Sequence, residues 1–137
     1  MLAPASLLLA LVATANAAPA RHPQPRVVVE VQHVDGPHQR ADVQREARSF
    51  LWGKIIKCYR AGAADKPKLK GEATFALRVS ADGEVSGVRT TGATIAHEGV
   101  IRCWAREIEQ VPMPRAEAAS HISLQVHVSP GDPPRRP

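Results

Sequence analysis

Aromatic side chains are scarce, at 4% of the chain, and cysteine occurs only twice, as Cys58 and Cys103. The first scarcity limits 137 residues to one modest, mostly aliphatic core. The second excludes a CxxC redox pair, because the two thiols lie far apart in the chain. Charge is missing altogether from residues 1–17, where Leu7, Leu8, Leu9, Leu11 and Val12 form an apolar run. That run falls short of the roughly 20 apolar residues a membrane span needs. No cysteine follows it, so nothing there supports lipid attachment. The chain also has no G-x-S-x-G, no H-E-x-x-H, no P-loop and no carboxylate pair spaced for acid–base work, so we expect no enzyme activity and no cofactor. Basic and aromatic residues do not interleave, which argues against single-stranded nucleic acid as a partner.

What is present points outside the cytosol. The apolar run ends in Ala15-Asn16-Ala17, a small-x-small site of the type cut by signal peptidase, although no Lys or Arg precedes it. We expect residues 1–17 to be a signal peptide and the protein to be periplasmic or secreted, with no transmembrane span in the mature chain. In an oxidising compartment two lone cysteines pair; the alternative is two buried free thiols. Twelve prolines gather towards the ends. Residues 18–25 therefore read as a Pro-rich tail, 129–137 as a disordered Pro-rich tail, and 26–128 as the single domain.

Between the tails, hydrophobic periodicity alternates between two kinds. Residues 26–34 are rich in valine and predict a strand, closed by Asp35-Gly36-Pro37. Val43, Ala47, Leu51, Ile55 and Cys58 recur every three or four residues and predict a helix over 40–60, with a loop from Gly62. Ala73, Phe75, Leu77 and Val79 alternate with polar residues, and Asp82-Gly83 is a hairpin signal leading to a return strand over 85–91, with Gly87 a bulge candidate. Val100, Cys103, Trp104 and Ile108 predict a second helix over 95–109, and Val111-Pro112-Met113-Pro114 stops it. Ile122, Leu124, Val126 and Val128 then alternate with His121, Ser123, Gln125 and His127. Each strand has one apolar face, which gives an α+β fold: an antiparallel sheet of three to four strands with two helices packed on one face. Both cysteines fall on inward helix faces, where a helix-to-helix bridge is feasible.

Residues 59–128 resemble the TonB C-terminal domain, and more closely the myxobacterial AgmX/PglI C-terminal domain family. The residues that carry the resemblance are Cys58-Tyr59, Pro67-x-Leu69-x-Gly71, Asp82-Gly83-x-Val85, Val88, Cys103 and Pro112-Met113-Pro114. The family pattern has an aromatic where this chain has Val111, and its members carry a membrane helix and long spacer ahead of the domain. The resemblance implies the fold and a cell-envelope setting; energy transduction does not carry over.

Charge is uneven: residues 18–70 hold eleven Lys or Arg and five Asp or Glu, residues 71–137 seven and eight. A solvated basic helix face accounts for this, with an anionic envelope surface or acidic partner as alternatives. Metal chemistry has weak footing. His121 and His127 stand about 20 Å apart along a strand, and His33 and His38 merely flank a turn around Asp35. Trp104 reads as core packing beside the cysteines. The expected function is a non-enzymatic interaction module of the bacterial envelope, binding an envelope protein by strand addition at an edge formed by the last strand, with His121, Ser123, Gln125 and His127 as contacts. The alternatives are self-association as a homodimer through the same edge and, less favoured, thiol–disulfide chemistry.

Overall fold

The computed structural model describes residues 24–131. The expected signal peptide, most of the N-terminal tail and the end of the C-terminal tail lie outside the described residues. Six elements follow in order: β1 (Arg26–Asp35), α1 (Arg40–Asp65), β2 (Gly71–Val79), β3 (Val85–Ala93), α2 (Glu98–Ile108) and β4 (Ser120–Ser129). The strands form one antiparallel sheet in the order β1-β4-β2-β3. Both helices cover one face, so the expected α+β plan is the observed one.

Alternation decides which side chains reach the core. Val29 and Val31 of β1, Phe75 and Leu77 of β2, and Ile122, Leu124, Val126 and Val128 of β4 point at the helices and are buried. The apolar row of α1, from Val43 through Ala47, Leu51 and Ile55 to Cys58, meets them, as do Val100, Trp104 and Ile108 of α2. The two helices are joined by the Cys58–Cys103 disulfide, with a Cα–Cα distance of 5.8 Å.

Several boundaries differ from expectation. α1 continues past Gly62 to Asp65. Gly62 is no helix stop: a Cβ there would fall 2.4 Å from Val100 Cγ2, so the glycine lets α1 and α2 approach closely. α2 begins later than its periodicity suggests, because His97 caps it, Nδ1 accepting from Val100 N at 3.1 Å. β4 also runs one residue into the stretch read as a tail, Ser129 pairing with Arg26. The hairpin turn is as expected, with Gly83 at φ +90° and its carbonyl accepting from Met113 N at 3.1 Å.

That last bond explains part of the motif set. Pro112-Met113-Pro114 is pinned to the β2–β3 turn, and a side chain at Gly83 would collide with Met113 O. The Tyr59 hydroxyl donates to Leu69 O at 2.6 Å, locking α1 to the connection before β2. Burial pushes the Tyr59 phenol above its usual range. These residues hold the fold together.

Candidate functional site: an open and a closed sheet edge

The structure corrects the placement of the last strand. β4 is interior: Gln125 faces Glu30 of β1 on one side and Thr74 of β2 on the other. Its backbone groups are shared between two neighbours, so β4 offers no free edge, and a proline at Gln125 would break the sheet itself. His121, Ser123, Gln125 and His127 lie instead on the helix-free face. His121 and His127 are exposed there, while Ser123 and Gln125 are half-buried. At one end of this row a shallow depression is bordered by His33, Asp35, Arg78 and Arg89.

His38 does not join His33. It is buried against the start of β4, its Nδ1 2.7 Å from Ser120 Oγ, which also accepts from His38 N at 3.2 Å. Gly36 makes room for this contact, since a Cβ there would lie 2.3 Å from Ser120 Oγ. The imidazole is thus a tie between the β1–α1 turn and β4. Among the described residues no three His, Cys, Asp or Glu converge as metal ligands would.

The true edges are β1 and β3, and they differ. In the middle of β1, the outward groups Val31 N, Val31 O and Val29 O are occupied by side chains of α1. Gln44 accepts from Val31 N at 2.6 Å and donates to Val29 O at 2.6 Å, as a neighbouring strand would. Arg40 donates to Val31 O at 2.6 Å, and Arg48 to Val29 O at 3.4 Å. Residues 40, 44 and 48 form one helical row, so a single stripe of α1 closes this edge.

β3 has no such cover: among the described residues no side chain caps its outward backbone groups. Ser80 N donates to Glu84 O at one end of the β2–β3 ladder, and Thr94 N to Glu72 O at the other. Antiparallel pairs alternate between bonded and non-bonded, which places the Thr90 N–H, opposite Phe75, on the outer side. Register shifts between Thr74 and Phe75 and between Ala76 and Arg78 mark two bulges, the second at Gly87 with φ +61°. Nearly every residue of β3 is exposed. Sequence reading missed this edge, although the signal was present: β3 carries Gly87, Arg89 and Gly92, residues that suit an edge, while residues 121–128 contain no glycine, proline, lysine or arginine.

No protein-family model matches the chain. No curated protein matches it. Among solved structures, the chain is similar to the NMR solution structure of the Helicobacter pylori TonB C-terminal domain, with a TM-score of 0.45 and 16% identity, covering 72% of this chain and 100% of that one. The AgmX/PglI resemblance rests on the motif residues alone.

Proposed function

We propose that this domain is a non-enzymatic protein-interaction module of the bacterial cell envelope that takes an extended segment of a partner protein onto the β3 edge. The observation that carries this reading is the asymmetry of the sheet: α1 closes β1, and β3 is left with unpaired backbone groups. Main-chain pairing at such an edge supplies affinity, and alternate side chains supply selectivity. The disulfide fits an oxidising compartment. Bulges divide β3 into short lengths, so the segment it accepts is short. The same bulges, with Arg89 on the strand, oppose pairing with a second copy, because an antiparallel contact centred there brings like charges together. A partner with an acidic or neutral strand suits the edge better than another copy does.

Thr90→Pro removes an outward N–H without touching the β2 ladder. A photo-crosslinking residue placed at Thr91 is expected to capture an envelope partner, and Thr90→Pro is expected to reduce capture at least tenfold with the urea midpoint almost unchanged. Capture of equal strength from a crosslinker at His127, or capture that survives Thr90→Pro in the folded protein, contradicts the reading. A stable dimer of the pure protein in light scattering, lost in Thr90→Pro, would show instead that the edge serves self-association.

A further inference from the structure

Two large hydrophobic side chains stand open to solvent among the described residues, Trp52 at 56% and Val28 at 48%. Singly they would mean little. Here they border the same shallow depression, with Val27, Arg48 and Ser49, where α1 runs along β1. A tryptophan this exposed is a large apolar surface left in water, on a chain that has few aromatics to spend.

The surface around it is cationic. Residues 40–70 contain nine Lys or Arg against three Asp or Glu, an excess larger than the net charge of +5 on the whole chain. Arg45, Arg48 and Arg60 lie seven, four and eight positions from Trp52, which puts them on the same side of α1. All three are exposed, as are Lys57, Lys68 and Lys70. Arg45 pairs with Asp42 at 2.9 Å and Arg48 reaches Val29 O, but Lys57, Arg60, Lys68 and Lys70 have no partner within the described residues.

We infer that this face docks on an anionic lipid surface, with Trp52 and Val28 entering the headgroup layer and Arg45, Arg48 and Arg60 drawing it there. The shape favours a bilayer over an acidic polypeptide. Arg45, Arg48 and Arg60 are strung over about 22 Å of α1 rather than gathered at one point. An extended cationic face with one exposed indole suits a flat anionic surface, and tryptophan favours the headgroup level of a bilayer because its ring is apolar and its N–H polar. β3 lies at the far edge of the sheet, three strand spacings or about 14 Å from β1. Docking therefore leaves the β3 edge free, and the inference stands independently of what β3 binds.

The test uses vesicles of phosphatidylglycerol with phosphatidylcholine, against phosphatidylcholine alone. Trp104 is fully buried, so a blue shift in tryptophan emission reports on Trp52. The purified protein is expected to co-sediment with the anionic vesicles at least tenfold more strongly than with the neutral ones, to shift its emission, and to be released by raised salt. Trp52→Ser should remove the shift and weaken binding at least fivefold. The double variant Arg45→Glu/Arg60→Glu, at two exposed positions on the Trp52 side of α1, should weaken binding at least tenfold while melting as the parent does. Equal or absent binding to the two vesicles overturns the inference, as does binding with unmoved emission. An emission shift with polyglutamate but not with anionic vesicles overturns it in favour of an acidic polypeptide.

Discussion

Replacing Cys58 and Cys103 together with alanine lowers the stability of the folded domain by about 4 kcal/mol, read as a fall in the urea midpoint. The figure is the chain-entropy cost of releasing a loop closed across 45 positions. It is large for this protein, because a domain of this size has roughly 5–15 kcal/mol in total. The bridge also has a local task. α2 is only 11 residues long, and the disulfide is its one covalent tie to α1. Reductant should bring the parent protein to the midpoint of the double variant and leave the variant unmoved. A shift under 1 kcal/mol, or a bridge that weak reductants open in the folded state, would mark the pair as a thiol–disulfide reagent rather than a staple.

Trp104→Ala is expected to cost about 3–5 kcal/mol, the range for emptying a buried aromatic site. Trp104 is fully buried, and its indole N–H donates to Ile55 O at 3.3 Å. The side chain therefore ties α2 to α1 one residue from Cys103, and with Val100 and Ile108 it makes up the buried row of α2. Trp104→Phe keeps most of the packing and loses the hydrogen bond, so its cost should be about 1–2 kcal/mol. The alanine and disulfide changes are neighbours, so their effects should not add. Once the disulfide is gone, α2 is already loosened and the tryptophan has less left to lose. Calorimetry on the four-protein cycle checks this; strict additivity would mean that the two features stabilise separate regions.

Local pattern made the elements legible, and one nonlocal fact reversed the functional reading. The alternation of Ile122, Leu124, Val126 and Val128 identifies a strand with one buried face, and the structure buries all four. The same alternation fits an edge strand or a central one, because in a two-layer fold both have a covered and an open face. Strand order is set by which ladders close, and periodicity does not contain it. The disulfide was readable because Cys58 falls on the core row of α1 and Cys103 lies beside that of α2. Gly62 was misread because a glycine near a helix end usually marks the stop, whereas here Val100 needs the space. The cap at His97 was not legible, because histidine is not among the side chains that announce one. Arg40, Gln44 and Arg48 form a visible helical row, but only the structure shows that it lies against the backbone of β1.

One edge of the sheet is closed at its middle by α1, and the other is left open. Residue-resolved amide hydrogen exchange on the free protein tests this directly. The Val31 amide, held by Gln44, and the amides of β4 should exchange slowly, while the outward Thr90 amide of β3 should exchange orders of magnitude faster. A Thr90 amide as protected as that of Val31, or fast exchange along residues 121–128, would contradict the account.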